Sequence, residues 1–182
     1  MTRREQILAT AAELFAKRGF HGVSVAELGT ACGISGPALY KHFASKDAVL
    51  AEMMVSISEQ LLAVGLERIA GARDPRAAVA ALVDWHVEFA LRDKALIVVQ
   101  DRDWSSLPPD AREKVRTLQR AYVDLWAEQL RLVDPGLGLD AARASAHAAF
   151  GLINSTPHST KLPVGEMQAL LVEMATRALL GR

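Results

Sequence analysis

Apolar residues recur every three or four positions along nearly the whole chain, and this spacing restricts the possible folds more than any other feature of the sequence. The first such segment carries Ile7, Ala11, Leu14 and Phe15 and is followed by Gly19. This repeat is that of one face of an α-helix, whereas strands alternate at every second residue. No segment has a convincing strand pattern, so the sequence predicts an all-α protein of about nine helices.

Three serines mark the positions where successive helices begin. Ser24 is followed three positions later by a glutamate, which is the capping-box spacing of a helix N-terminus. Ser35 caps a third helix whose first turn contains Pro37, where the missing N–H leaves no hydrogen bond unmade. Ser45 begins a long fourth helix. Helices two and three therefore flank a tight turn at residues 31–35, of the helix-turn-helix type.

Proline and glycine divide the rest of the chain into further segments. In order, we predict a fifth helix after Pro75, a short apolar stretch at residues 96–99, a long helix that follows Pro109 and ends at 134–136, and two final helices at about 139–154 and 164–180.

Composition excludes several classes of protein. A single cysteine, Cys32, allows no internal disulfide, and no apolar run approaches the roughly 18 residues of a membrane span. The N-terminal residues lead into an amphipathic helix and not into a secretory signal, which predicts a cytoplasmic protein. The histidines have no metal-ligand spacing, and GxSxG, HExxH, Walker, CxxC and GxGxxG motifs are absent. The sequence therefore predicts no enzymatic activity, no metal and no cofactor.

The net charge of zero conceals an uneven distribution. Residues 1–46 carry six basic and three acidic side chains, a net charge of +3, and the remainder carries 15 basic and 18 acidic ones. A basic N-terminal segment is the distribution expected of a module that binds a polyanion.

The third helix has one apolar face and one face free of acidic side chains. On a helical wheel, Leu39 and Phe43 lie together and are predicted to face the core, while Pro37, Ala38 and Lys41 lie opposite. Lys41 suits the guanine acceptors of a major groove, and the two smaller residues suit a thymine methyl group. The alternative is a solvated face in an ordinary helical bundle, and the wheel alone does not separate the two.

Phosphate contacts are predicted on the flanks of this face. Tyr40, His42 and Lys46 stand where phosphate oxygens would lie. The N-termini of the second and fourth helices add amide donors with partial positive charge. Such contacts would orient the helix on DNA without reading the base sequence.

A resemblance to a known family covers residues 7–50, ILATAAELFAKRGFHGVSVAELGTACGISGPALYKHFASKDAVL, which are similar almost position for position to the DNA-binding head of TetR/AcrR transcriptional regulators. The resemblance implies a DNA-binding domain at residues 1–46, a ligand-binding and dimerisation domain at 47–182, and a homodimer on a palindromic operator. It places Gly36, Pro37, Ala38, Tyr40 and Lys41 against base edges and backbone, and Ser24, His42 and Lys46 at phosphates. Ala38 stands where relatives often carry Thr or Ser, so readout should depend on apolar contacts and Lys41.

The last two helices have the composition of an interface. The eighth is rich in Ala, Ser and Gly, which lets helices approach closely, and the ninth carries an apolar stripe. With the family resemblance, these helices are predicted to form a four-helix bundle with a second copy. The alternative is packing within one chain. The stripe consists of Met167, Leu170, Leu171, Met174 and Ala178.

The middle of the chain concentrates aromatic side chains from several helices. They suit the largely apolar wall of a ligand pocket, although an aromatic stripe is more often core. His86 in particular suits a buried histidine with its hydrogen bonds satisfied. The fourth helix is expected to be the only continuous element joining this region to the head. The predicted pocket residues are Trp85, His86, Phe89, Trp104, Tyr122, Trp126, Phe150 and Asn154.

These observations lead to one expected function and two alternatives. We expect a repressor that binds an operator in double-stranded DNA as a homodimer and is released by a small hydrophobic or amphipathic effector. One alternative is a DNA-binding architectural protein without a ligand. The other is a helical enzyme or carrier whose head is vestigial.

Overall fold

The computed structural model describes residues 2–159 and 162–181. Over these residues the chain is helical and has no strand, which confirms the predicted all-α fold of about nine helices. The elements are α1 Arg3–Arg18, α2 Val25–Ala31, α3 Gly36–Leu39, α4 Lys46–Ala70, α5 Pro75–Arg92, α6 Lys94–Asp103, a 3-10 turn Trp104–Ser106, α7 Pro109–Val133, α8 Leu139–Ile153 and α9 Val164–Leu180.

The predicted caps form as the sequence indicates. The hydroxyl oxygen of Ser24 accepts from the backbone N–H of Glu27 at 3.2 Å, and that of Ser35 accepts from Ala38 N–H at 3.2 Å. Ser45 accepts from the backbone N–H of Ala48 at 3.0 Å. Each bond satisfies an amide that the first turn of a helix leaves without a partner. The apolar stretch at 96–99, predicted without a helix, lies within α6.

The chain divides into two compact units, and the division does not follow sequence order. The first unit comprises the described residues of Met1–Ser58 together with Ala95–Arg116. The second comprises Glu59–Lys94 and the described residues of Thr117–Arg182. Both α4 and α7 contribute residues to both units, so α4 is not the only element shared between them.

The first unit has its own hydrophobic core. Ile7 and Phe15 of α1, Leu28 of α2 and Leu39 of α3 are at most 2% exposed. Residues from α6 and α7, among them Val99, complete this core. Each fully buried side chain of this size stabilises the fold by about 1.5–3 kcal/mol. Residues 95–116 are thus part of the packing that supports α1–α3.

The second unit is built on α5, which packs against α8 and α9. Small residues on α8, such as Ala142 and Ala146, are completely buried and allow close helix approach. Leu82 of α5, Ile153 of α8 and Leu171 of α9 belong to the core of this unit and are at most 5% exposed.

The unit boundaries change the distribution of charge inferred from the sequence. The first unit contains ten basic and nine acidic side chains, a net charge of +1, and the second has a net charge of −1. The +3 counted over residues 1–46 is reduced because Asp47 and Glu52 belong to the same unit and residues 95–116 contribute no net charge. Overall charge therefore adds little to the case for a polyanion partner.

Among the described residues, α4 alone is long and apolar enough to cross a membrane by length and composition. Its most apolar window has a mean hydropathy of 1.5, and 39% of that window is buried in the protein. The sequence prediction considered uninterrupted apolar runs, whereas a window average tolerates the polar residues of α4. A core helix of a globular protein passes the same test, so this is weak evidence for a membrane span.

Candidate DNA-binding face and effector site

The turn between α2 and α3 depends on two glycines. Gly33 has a φ of +68°, in the left-handed region that a side chain disfavours. A Cβ on Gly29 would lie 3.0 Å from the backbone of Ile34 and Gly36, a tighter contact than side chains usually make, so the backbone would have to shift. Glycine at these two positions therefore lets α2 and α3 pack directly against each other as a helix-turn-helix.

The third helix has the two faces that the wheel predicts. Leu39 and Phe43 are 2% and 3% exposed and lie in the core of the first unit. On the other side Tyr40 is 54% exposed, and Pro37 and Lys41 are also exposed. The helical part is a single turn, Gly36–Leu39, and the chain continues as a turn through His42. Lys41 has no interaction partner among the described residues, so its ammonium group is available to a ligand.

Ser24, predicted to bind a phosphate, is already engaged by Glu27. Its N–H and its hydroxyl both donate to the Glu27 carboxylate, at 2.8 and 2.7 Å. These bonds, with a contribution from Arg18, lower the pKa of Glu27 to about 2. A phosphate would therefore compete with a fixed carboxylate for both donors of Ser24.

Lys46, also predicted to bind a phosphate, has partners inside the protein. Its ammonium group donates to the backbone carbonyls of Phe20 and Val23, each at 2.8 Å. The same group lies 4.3 Å from the centroid of the Phe20 ring. Lys46 thus ties the start of α4 to the turn between α1 and α2.

Two further cations hold the helix-turn-helix, and neither was predicted. Arg3 donates to the carbonyl of Cys32 at the end of α2. Arg4 donates to the carbonyl of His42 after α3 and pairs with Glu52 of α4. Their position in the first turn of α1 could have indicated this. The positive end of the helix dipole disfavours cations there unless another group binds them.

The end of α1 is held by α6. Arg102 donates to the carbonyls of Phe15 and Ala16 and pairs with Asp103, which is 6% exposed. In addition, the His21 ring lies 3.0 Å from the hydroxyl of Ser106. Carbonyls at a helix C-terminus lack intrahelical donors; here the N–H of Gly19 donates to Phe15, and the Arg102 guanidinium adds donors to both Phe15 and Ala16.

An aromatic cluster occupies the interior of the second unit. The His86 ring stacks on Phe150 at 4.6 Å between centroids and lies 5.9 Å from Trp126. His86 Nε2 is 3.2 Å from Asn154 Oδ1, and its Nδ1 is 3.4 Å from the Tyr122 hydroxyl. One neutral tautomer fits both contacts, with Nε2–H donating to Asn154 and Nδ1 accepting from Tyr122. Phe89 completes the cluster, at 5.5 Å from His86.

Burial keeps this cluster uncharged. It lowers the pKa of His86 to about 4 and raises the pKa of Tyr122, because the low dielectric penalises each charged form. The indole N–H of Trp126 is fully buried; it interacts with the Tyr122 hydroxyl, but no acceptor among the described residues forms a well-aligned hydrogen bond with it. The cluster is therefore a set of buried aromatic side chains with one incompletely bonded donor and no formal charge.

Comparison with known proteins identifies both parts of the chain. Residues 7–53 match the N-terminal domain family described as "Bacterial regulatory proteins, tetR family". Residues 72–158 match a second family, described as "Tetracyclin repressor-like, C-terminal domain". The chain belongs to the TetR family. This is a family of DNA-binding transcriptional regulators and not of enzymes, so the proposed helical enzyme with a vestigial head is not supported.

Individual TetR-family relatives agree with this assignment. The HTH-type transcriptional repressor KstR2 of Rhodococcus jostii is 30% identical over 68% of this chain and 61% of its own length. The HTH-type transcriptional activator FasR of Mycolicibacterium smegmatis is 28% identical over 83% of this chain and 67% of its own. A crystal structure of a TetR-family regulator from Bordetella parapertussis is 26% identical, with a TM-score of 0.87 over 97% of this chain and 93% of that one. The chain thus spans less than two thirds of the length of KstR2.

Six of the eight residues predicted to form an effector pocket in this TetR-family chain lie in the aromatic cluster, and two do not. Trp85 donates its indole N–H to the carbonyl of Leu61 at 3.2 Å, with Arg92 beside its ring at 5.7 Å. Trp104 belongs to the first unit and packs against the core of that unit. Sequence position suggested that Trp104 lies near the others, but the division into units separates it from them.

The apolar stripe of α9 is split between two environments. Met167 and Leu171 are 7% and 5% exposed and pack inside the protomer, so the structure gives these two predicted interface residues an intramolecular role. Leu170 and Met174 are 43% and 46% exposed, and Ala178 is also exposed. Spacing alone does not separate the two faces, because they are adjacent arcs of one helix.

Proposed function

We propose that this chain is a transcriptional repressor that binds a palindromic operator as a homodimer. The observation that carries the proposal is the head match over residues 7–53, combined with a third helix whose exposed face has no acidic side chain. Lys41 would reach guanine acceptors, and Pro37 and Ala38 would contact thymine methyl groups. Gly36, Tyr40 and His42 would lie along the adjacent backbone. We also propose a cytoplasmic location, where operator DNA is found.

Selection of duplexes from random DNA tests the operator. The wild-type protein should enrich an inverted repeat whose half-sites are spaced to suit a two-fold symmetric dimer. Lys41→Ala should weaken binding to the selected duplex by about 1–3 kcal/mol and relax base preference at one position in each half-site. A Lys17→Ala variant controls for the loss of a free cation elsewhere. Enrichment of no sequence, or an unchanged preference in Lys41→Ala, would refute the assignment.

Repression and activation are distinguished by the position of the operator. A relative at 30% identity is a repressor and one at 28% is an activator. The regulator gene is deleted, and the transcript of the gene whose promoter the operator overlaps is measured. A rise in this transcript supports repression. A fall in that transcript would mean activation.

The homodimer would form through the exposed residues of α8 and α9. Leu170, Met174 and Ala178 present apolar surface outside the protomer, and most of the outer residues of α8 are small. Met174→Glu would bury an unpaired charge at the interface, at a cost of several kcal/mol, and should give a folded monomer by light scattering. Leu171→Glu is the matched contrast, because it should unfold the protomer. A folded Met174→Glu dimer of unchanged affinity would place the interface elsewhere.

We also propose that a hydrophobic or amphipathic small molecule lowers DNA affinity by binding at the aromatic cluster. The support is the neutral aromatic composition of the cluster and the N–H of Trp126, which lacks a well-aligned acceptor and could orient a polar atom of the guest. The architectural alternative predicts no such ligand. Small molecules extracted from protein purified from its host can be identified by mass spectrometry. Phe150→Ala should reduce their retention, and an unchanged yield would argue against the site.

Reciprocity provides a second test of the effector. A molecule that weakens operator binding must itself bind more weakly to the operator complex, by the same factor, typically 5- to 150-fold. Both α4 and α7 contribute residues to both units and are therefore candidates for carrying the coupling. Calorimetry with and without the selected duplex measures the factor. Equal affinity in both states would mean that the bound molecule is not a switch.

A further inference from the structure

The fourth helix contains a single glycine, Gly65, in the part of α4 that belongs to the second unit. A glycine inside a helix costs about 0.5–1 kcal/mol relative to alanine, so close packing that excludes a side chain would explain its presence. Gly65 is buried, and a Cβ at this position would lie 3.0 Å from Tyr122 Cε2 and 3.0 Å from Leu125 Cδ2. The backbone of α4 therefore packs directly on two side chains of α7, with too little space for a methyl group unless a neighbour moves.

One of these two side chains belongs to the aromatic cluster. The Tyr122 ring lies 5.6 Å from Phe150 between centroids, with the ring planes 9° apart. Its hydroxyl is 3.4 Å from His86 Nδ1, and the residue is only 4% exposed. The ring of Tyr122 thus contacts the other cluster residues and also lies against the backbone of α4.

The fifth helix holds the same turn of α4. The indole N–H of Trp85 donates to the carbonyl of Leu61 at 3.2 Å. In an α-helix this carbonyl already accepts the N–H of the residue four positions later, which is Gly65. Trp85 itself immediately precedes His86 of the aromatic cluster. The turn of α4 between residues 61 and 65 is therefore contacted by both α5 and α7, next to the cluster.

We propose that Gly65 is a positioning residue, which lets the Tyr122 ring pack on the α4 backbone so that α4 responds to the packing of the aromatic cluster. This inference rests on the proposed function, since the response matters only if the cluster binds an effector and the head binds an operator. It identifies one contact at which the cluster acts on α4, the helix whose first residues, 46–58, belong to the first unit. A larger side chain at position 65 would displace the ring or the helix with no effector present.

Alanine at position 65 provides the first test. Its methyl group requires Tyr122, Leu125 or the helix to move by a few tenths of an ångström. We expect Gly65→Ala to weaken binding of the selected duplex about 5-fold or more without any added small molecule, the lower end of the range typical of coupled sites. Gly165→Ala is the matched control and should leave this affinity unchanged, because a Cβ there would meet no atom within 4 Å. An unchanged affinity in Gly65→Ala would overturn the proposal.

A double-mutant cycle separates the ring contact from general crowding of the helix. In a Tyr122→Leu background the side chain ends short of the Cε2 position, so Gly65→Ala should change duplex affinity by less than about 1.5-fold. A Leu125→Ala background is the contrast, because Leu125 is equally close to Gly65 but is not part of the aromatic cluster. There the loss should persist at about 5-fold. Equal losses in the wild-type and Tyr122→Leu backgrounds would assign the effect to crowding and would also overturn the proposal.

Fluorine NMR gives a readout that needs no substitution at Gly65. The chain has two tyrosines, Tyr40 and Tyr122, so labelling with 3-fluorotyrosine gives two resonances, which a Tyr40→Phe variant assigns in the free protein. Addition of the selected duplex should shift the Tyr122 resonance, although Tyr122 belongs to the second unit and the proposed DNA face to the first. A Tyr122 resonance that the duplex leaves unchanged would contradict the proposal.

The folding of each variant is checked before affinities are compared. All variants are measured at a temperature at which their far-ultraviolet circular dichroism matches wild type. If Gly65→Ala does not fold there, the fluorine measurement on the wild-type sequence decides alone. Failure of the proposed function would look different, since wild-type protein would then enrich no duplex at all.

Discussion

The two units differ in the polar groups that lie at the centre of their packing. In the first, charged side chains such as Lys46, Arg4 and Arg102 donate to backbone carbonyls at helix ends. The second also has such contacts at its surface, as Arg76 donates to Leu180, but inside its aromatic cluster neutral groups on His86 and its neighbours satisfy each other. Several cations of the head therefore have partners within the head, whereas the aromatic cluster of the body holds no charge. Residue type alone therefore does not identify the cations that face DNA.

The largest effect is expected from removing the centre of the aromatic cluster. Trp126 is fully buried, so Trp126→Ala should lower the free energy of unfolding by about 3–5 kcal/mol through lost contacts and a cavity. Urea titration followed by circular dichroism measures this. Leu132→Ala, at a 56% exposed position on the same helix, should change stability by less than about 0.5 kcal/mol. Similar losses of unfolding free energy at both positions would mean that the aromatic cluster stabilises the fold no more than an exposed side chain does.

A smaller effect is expected where a cation of the head is removed. Arg102→Ala leaves the buried carboxylate of Asp103 without its cation and removes a donor from the carbonyls of Phe15 and Ala16, of which Phe15 keeps the N–H of Gly19; this should cost about 2 kcal/mol. The double variant Arg102→Ala/Asp103→Ala should regain part of this loss, since the unpaired charge is removed as well. Thermal unfolding of the two variants provides the comparison. An equal or larger loss in the double variant would show that the pair itself is unimportant.

The neutral histidine of the body gives a pH dependence between about pH 4 and pH 6.5. The pKa of His86 is about 4 in the folded state and about 6.5 when unfolded, so the unfolded state binds the extra proton between these values. The stability that His86 contributes is therefore complete above pH 6.5 and is lost as pH falls towards 4, by up to about 1.4 kcal/mol per pH unit. His86→Gln should remove this dependence, and His147→Gln, at an exposed position, should retain it. A persistent slope in His86→Gln would assign it to other groups.

The smallest effect is expected at an ion pair on the body surface. Arg68 and Glu88 lie 3.3 Å apart and are 41% and 40% exposed, so solvent screens their attraction. Arg68→Ala should change the free energy of unfolding by no more than about 0.5 kcal/mol. A loss comparable to that of Arg102→Ala, measured by the same thermal unfolding, would remove the contrast between the two units.

Features governed by local spacing could be predicted from the sequence. The caps at Ser24 and Ser35 and the inward face of the third helix follow from patterns that span a few residues. The internal contacts of Lys46 and Arg102 could not be predicted, because their partners are backbone carbonyls. Every residue has a backbone carbonyl, so the sequence does not indicate which one a cation will bind. Likewise Trp104 could not be assigned to the first unit, since that requires knowing that residues 95–116 return to the head.

The salt dependence of wild-type binding tests most directly the claim that the cations of the head are used internally. If only Lys17 and Lys41, which have no internal partner among the described residues, contact phosphate, a dimer makes at most four such contacts, and log K should fall with log salt with a slope of about −4 or shallower. If all six cations of residues 1–46 contacted phosphate, the slope would approach about −11. Titration of the selected duplex at several salt concentrations gives the value. A slope steeper than about −7 would contradict the account.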